Sequence, residues 1–250
     1  MPAKFLGLSS IECERSIYRI ISFERLCEFF ESQKYTFIHP TKWDDPFENY
    51  LSSAEYLKSG KKIDVPGRKG VYGSCWTQRA ASDAMWRIYS PDKKSVRIKT
   101  TPSLMKQALD IALTKKEMAE AFIGKVQYLR EREILGEASE HAINLYRRRT
   151  AEALAESFLF KRNPFSHEAE VRLLYADTSD RMRPGGLLKI PMNPHDIIQT
   201  VLVDPRAPDG TVQEYKAKLK SAFGFKKHIA RSTIYNKPKP LVIDLDHKFA

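Results

Sequence analysis

Residues 158–175 read FLFKRNPFSHEAEVRLLY and hold the densest grouping of reactive side-chain types in the chain. Glu168, Glu170 and Arg172 stand at alternate positions, with Lys161 nearby. In a strand, side chains alternate between faces. The two carboxylates and the guanidinium would then share one face, and Val171, Leu173 and Tyr175 the other. Neighbouring carboxylates repel, and the repulsion is relieved when one is protonated or when an arginine or a substrate cation offsets it. The same pattern is the wet face of an edge strand, where charged rows are common.

Three other groups have similar potential. Tyr18-Arg19 lies on an early strand, Asp44-Asp45-Pro46-Phe47-Glu48 forms a turn-rich loop, and Cys75-Trp76 precedes Met85, Trp86 and Tyr89. Each has an ordinary reading too: Arg19 as a surface residue, Asp45-Pro46 as a common turn, and the tryptophans as core. There is no GxGxxG, Walker lysine motif, HExxH, CxxC or GxSxG. The six histidines are scattered without metal-ligand spacing, so no metal site is expected.

The elements that would position these groups follow from patterning. SIYRIIS (16–22) reads as a strand, Ser22 caps a helix, and KYTFIH (34–39) is a strand ended by Pro40. Residues 58–70 read as an exposed basic connection. VYGSCWT (71–77) is a buried strand, followed by a short helix over 83–89, the strand SVRIKT (95–100) and a helix opened by Pro102. IGKVQYL (123–129) reads as one strand and 136–160 as the longest helix. The Glu168 strand follows across a loop at Arg162-Asn163-Pro164. LLKIPM, TVLVDP, a helix over 211–223 and the strand HIARSTIY (228–235) complete the chain.

The 250 residues suffice for a real core. No apolar run approaches the roughly 18 residues of a membrane span, and the N-terminus lacks a signal-peptide pattern. Three widely spaced cysteines, Cys13, Cys27 and Cys75, point to a reducing compartment, by default the cytoplasm. A net charge of +11, spread over KSGKK, PGRKG, Arg147-Arg148-Arg149 and FKKHIAR, favours polyanionic partners such as RNA or DNA. Irregular interleaving of strands and helices favours a single α+β domain.

Read with HDIIQTVLVDPRAP and HIARSTIY, the four groups resemble the domain of unknown function family DUF2971 over residues 18–235. The shared pattern is a tyrosine with a basic residue, an N/D-D-P-F-E loop, M-W-x-x-Y, F-x-x-E-x-E-x-R and a late V-x-V-x-P strand. The chain departs in having Asp44 in place of asparagine and SPDKKS after Tyr89. More distantly, the order of elements is similar to ADP-ribosyltransferases. That resemblance implies a split mixed or antiparallel sheet flanked by helices; the sequence itself reads as one domain over 1–240, with the tail NKPKPLVIDLDHKFA (236–250) as an extended arm. The resemblance implies NAD as substrate and transfer of ADP-ribose, onto nucleic acid given the charge, in a toxin or phage-defence setting with a neutralising antitoxin protein and no membrane. By the same resemblance Arg19 holds NAD, Tyr18, Trp86 and Tyr89 shape or stack on it, and Glu170 stabilises the ribosyl cation with Glu168 as partner. Arg172 fixes the carboxylates or binds phosphate, and Asp45 and Glu48 organise the loop. The alternatives are a non-catalytic nucleic-acid-binding module, and a hydrolase using a metal bridged by Asp45, Glu48, Glu168 and Glu170.

Overall fold

A computed structural model describes residues 2–49, 54–64, 69–113, 119–179 and 183–240. The strands are β1 (Lys4–Leu6), β2 (Ile17–Ile21), β3 (Lys34–Ile38), β4 (Tyr56–Lys58), β5 (Lys61–Ile63), β6 (Val71–Thr77) and β7 (Val96–Thr100). They continue with β8 (Ala119–Lys125), β9 (Gln127–Leu129), β10 (Phe160–Arg162), β11 (Glu170–Asp177), β12 (Leu187–Pro191), β13 (Thr200–Val203) and β14 (His228–Arg231). The helices are α1 (Ser10–Glu14), α2 (Phe23–Ser32), α3 (Asp83–Tyr89), α4 (Pro102–Ala112), α5 (Glu131–Arg148), α6 (Ala151–Glu156), α7 (Pro194–Ile197) and α8 (Thr211–Ser221).

Among the described residues, ten strands form one mixed sheet in the order β1-β8-β11-β6-β2-β7-β13-β14, with β3 paired to β6 and β12 to β3. The β1–β8 and β13–β14 pairs are parallel and the other pairs antiparallel. The sheet splits at β6. Thr77 at one end pairs with Tyr18 of β2, while Gly73 further along pairs with Ile38 of β3. Two half-sheets therefore meet at a seam.

One face carries Tyr72, Trp76, Ile123, Val171, Leu173 and Tyr175, which pack in the main core with Phe23 and Leu26 of α2, Met105 and Leu109 of α4, and Tyr215 and Leu219 of α8. The opposite face, with Val71, Phe122, Leu174 and Ala176, packs on Leu145 of α5 and Ala151, Ala153, Leu154 and Ala155 of α6. All eight residues of β11 are buried. Each large aliphatic side chain buried there contributes about 1.5–3 kcal/mol. β11 is thus a central strand, not the wet edge strand its charges allow.

Caps fix several boundaries where the sequence places them. The Ser22 side chain accepts from Arg25 N at the start of α2, Ser82 does so from Met85 N for α3, and Thr101 from Leu104 N for α4. Other expectations are corrected. The basic connection holds a hairpin, β4–β5, turned by Ser59 and Gly60 at φ 50° and 70°. The single strand expected over 123–129 is two, β8 and β9, and the single helix over 136–160 is α5 and α6, parted by Arg149 at φ 50°. Phe160–Arg162 is strand β10, paired with β9, rather than a helix tail and loop. The last strand stops at Arg231, and a 3-10 turn, Thr233–Tyr235, follows. The arm expected over 236–250 has no helix or strand over 236–240, and its remainder lies outside the described residues.

Candidate active site

The 3-10 turn Asn163–Glu168 precedes β11, and Ala169 between them takes a left-handed φ of 44°. Glu168 therefore leaves the strand, and the alternation expected to align it with Glu170 does not operate. Lys161 of β10 joins the two instead. Its Nζ lies 2.5 Å from Glu168 Oε2, 3.0 Å from Glu170 Oε1 and 3.4 Å from Glu48 Oε1. Arg172 is 0% exposed. Its Nε donates to Glu170 Oε2 at 2.7 Å, its Nη1 to the Phe158 carbonyl at 2.8 Å, and its Nη2 to Glu48. The Tyr89 hydroxyl donates to Glu168 Oε1 at 3.0 Å, and the Tyr128 hydroxyl accepts from the Glu170 amide at 2.8 Å.

The loop over 41–48 closes on this cluster for identifiable reasons. Asp45 Oδ1 accepts from the Phe47 amide at 3.1 Å, and its carboxylate pairs with Arg162, Nη2 to Oδ1 at 2.8 Å. Arg162 also lies 4.5 Å from the Phe47 ring centroid. Trp43 covers the Arg172 guanidinium at 4.6 Å. A Cβ on Gly73 would sit 2.6 Å from Trp43 Cζ2, so this close approach requires a glycine.

Three carboxylates, Glu48, Glu168 and Glu170, thus surround two cations, Lys161 and Arg172, all of them buried. With every group ionised the cluster carries one uncompensated negative charge. Burial acts against every charge in it. Burial pushes Glu48 and Glu168 above the ordinary carboxylate range, Glu168 also because of Glu170 beside it. Burial would raise Glu170 as well, but Arg172, the hydrogen bond with Glu168 and Lys161 hold it below that range. Burial would lower Lys161 and Arg172, yet the carboxylates hold both above their ordinary values. Burial and Glu168 push Tyr89 up.

Of the side chains singled out in the sequence, Glu48, Glu168, Glu170, Arg172 and Tyr89 meet here, and Asp45 lies one contact away, its carbonyl accepting from the Glu48 amide at 3.0 Å. Arg19 does not join them. Glu170 and Arg172 pair across the ladder with Thr77 and Cys75, whereas Arg19 Nη1 donates to Tyr35 Oη and Ser74 Oγ, both at 2.7 Å, on the opposite face. Arg19 bonds across the seam between β2, β3 and β6, which corrects its expected place beside Glu170. Trp86 is 1% exposed and has no ring face free for a cofactor to stack on. Tyr89, one helical turn later, is 42% exposed and forms the outer end of the network.

A metal bridged by Asp45, Glu48, Glu168 and Glu170 is corrected too. The Lys161 ammonium stands among three of these carboxylates and the fourth is turned to Arg162. Among the described residues, no group of three or more His, Cys, Asp or Glu is placed to hold a metal ion.

Thr77, Tyr128 and Trp43 belong to the site and were not singled out beforehand. Thr77 was the one with a signal, since it alternates with Cys75 on β6. Its Oγ1 donates to the Glu168 carbonyl at 2.5 Å and accepts from the Arg79 amide at 3.0 Å. Ladder register sets Glu170, Thr77, Tyr18, Lys99, Thr200 and His228 in one row across six strands. Five strand spacings make this row about 24 Å long. Over its far part lies a cavity of about 300 Å³, lined by Tyr18, Arg97, Lys99, Thr200, His228 and Arg231 among others. Tyr18 therefore shares the face of Glu170, with Thr77 between them.

Residues 85–173 match the model of a family described as protein of unknown function (DUF2971). The stretch includes Met85, Trp86, Tyr89, Phe165, Glu168, Glu170 and Arg172, while Tyr18-Arg19 and the loop over 44–48 lie outside it. No curated protein matches the chain. Among solved structures, Thermus sp. 2.9 DarT in complex with ADP-ribosylated ssDNA is 11% identical, over 88% of this chain and 94% of that chain, with a TM-score of 0.40. Thermus sp. 2.9 DarT in complex with carba-NAD+ is 12% identical, over 88% and 96%, with a TM-score of 0.38.

Proposed function

We propose that the face bearing Glu170, Thr77 and Tyr18 is the active face of an enzyme that transfers ADP-ribose from NAD to an acceptor. The observation that carries this reading is the charge count around Lys161: three buried carboxylates against two cations. Such a cluster is one positive charge short, which suits a substrate bearing a single cationic centre. NAD has one in its nicotinamide ring. When the ribose–nicotinamide bond breaks, its electron pair goes to the ring nitrogen and positive charge develops on the sugar, as in glycoside cleavage. Glu170, held ionised by Arg172 and Lys161, offsets that charge. Glu168 takes the proton of the acceptor as the acceptor oxygen or nitrogen bonds to the sugar carbon. Tyr89 orients Glu168, Arg172 fixes Glu170, Asp45 and Glu48 hold the loop, and Tyr18, beside Thr77 at the seam, walls the cofactor on the Glu170 side of the row.

The net charge of +11 favours nucleic acid as acceptor. Modification of nucleic acid in the cytoplasm fits a toxin or phage-defence effector, restrained by an antitoxin protein. The test is incubation of purified protein with labelled NAD and RNA, DNA or lysate. Wild type transfers label, and Glu170→Gln, folded by circular dichroism, loses at least about a hundredfold in rate. A wild type that neither binds nor consumes NAD refutes the proposal.

A further inference from the structure

Beyond the seam, the active face continues over β2, β7, β13 and β14 outside both hydrophobic clusters. Its side chains there are Tyr18, Arg97, Lys99, Thr200 and His228, with Arg231 at the rim. Among the described residues, neither Arg97 nor Lys99 has a carboxylate within ion-pair distance. The Arg231 guanidinium donates to the Pro205, Ala207 and Pro208 carbonyls, and its one carboxylate neighbour among the described residues is the exposed Asp209, at 3.9 Å. The neighbouring acids are already matched: Asp204 by Arg206 at 2.8 Å and Asp83 by Arg87 at 2.8 Å. The shelf is therefore positive, next to a cluster that is negative.

The spread of these cations selects the ligand. β7 and β14 are two strand spacings apart, about 10 Å, and Arg97 and Lys99 are about 7 Å apart along their strand. A single phosphate cannot reach them all, whereas a chain of phosphates can. The Tyr18 ring, with the Arg97 guanidinium 4.7 Å from its centroid, adds the aromatic and cationic pairing on which bases stack in single-strand binders. Thr200 supplies a hydroxyl donor to the same surface. We infer that this shelf docks the phosphate backbone of single-stranded nucleic acid. It rests on the proposed function in that the strand docked there is the acceptor, and strand binding itself needs no NAD.

The test is fluorescence anisotropy with labelled oligothymidylate, oligouridylate and a duplex of equal length, between about 50 and about 200 mM salt. Wild type binds the single strands more tightly than the duplex, and affinity falls steeply with salt. Lys99→Glu weakens single-strand binding about tenfold and flattens the salt dependence by about one unit of slope. Lys189→Glu makes the same charge change on β12, in the other half-sheet and off the shelf, and weakens binding far less. Lys99→Gln reports the same site with a smaller effect should Lys99→Glu not fold. Equal weakening by Lys99→Glu and Lys189→Glu, tighter binding of duplex, or no single-strand binding overturns the inference. If NAD is consumed without strand binding, the shelf fails and the chemistry stands. If strands bind at the shelf without NAD consumption, the chemistry fails and the shelf stands.

Discussion

Replacing Lys161 with methionine keeps most of the buried stem and removes the ammonium that three carboxylates share. Glu48, Glu168 and Glu170 are then left with Arg172 alone. Removing one partner of a buried ion pair costs about 3–5 kcal/mol. In a domain of this size each kcal/mol shifts Tm by about 2–4 °C, so the expected loss near pH 8 is about 6–20 °C. The loss depends on pH in a defined direction. Glu48 and Glu168 already titrate above their ordinary range, and losing Lys161 moves them higher. An acid whose folded value is raised contributes stability that is complete below its unfolded value and disappears as pH rises through the folded one. The variant therefore approaches wild type near pH 5, where protonation removes the surplus charge, and falls away towards pH 8. Urea denaturation at the two pH values measures this. A loss under about 1 kcal/mol at the higher pH, or an equal loss at both, would refute the charge count and with it the site's fitness for a cationic substrate.

Gly73→Val forces Trp43 off the sheet, uncovers Arg172 and lowers Tm, so near-ultraviolet circular dichroism of the tryptophan band changes along with stability. Arg206→Leu leaves the fully buried Asp204 unpaired and frees the Trp86 and Ser90 carbonyls at the end of α3, for a loss of about 3–5 kcal/mol. Adding Asp204→Asn recovers part of that loss, which denaturation of the single and double variants reads directly. Burial and the neighbouring Glu170 push the half-buried Cys75 thiol up to about 12, so iodoacetamide modifies it near neutral pH at least about tenfold more slowly than a free cysteine. Alkylation at the free-thiol rate would show that the thiol is not held protonated beside Glu170.

Local patterning located β6 and α3 to the residue and set the Ser22 cap, because these depend on neighbours in sequence. The convergence of Glu48, Tyr89, Glu168, Glu170 and Arg172 followed from motif order. What bound them was hidden, because Phe158-Leu159-Phe160 suits a helix end as well as a strand, and β10 forms only through its pairing with β9. The choice between Tyr18 and Arg19 could not be read either. Period two sets neighbours on opposite faces, but which face carries Glu170 depends on the pairing of Tyr18 with Thr77, remote in sequence. Charges on β11 suggested a wet face. They are buried because Lys161 and residues from the 41–48 loop satisfy them, and no window of sequence contains all the partners. Trp86 and Tyr89 stand three residues apart on one side of a seven-residue helix, and they differ in depth because Tyr89 is its last residue, at the end that reaches solvent.

The seam between Tyr18 and Thr77 is also where the surface changes polarity. Acid lies on the β11 flank, and unmatched base begins one strand past the join. Any bound molecule that holds opposite charges at its two ends meets a built-in compass. Its positive end is drawn towards Glu170 and its negative end towards Lys99, and the reversed pose faces repulsion at both. Direction of binding along this sheet is thereby set by the order of the strands, before any atom-by-atom fit is made.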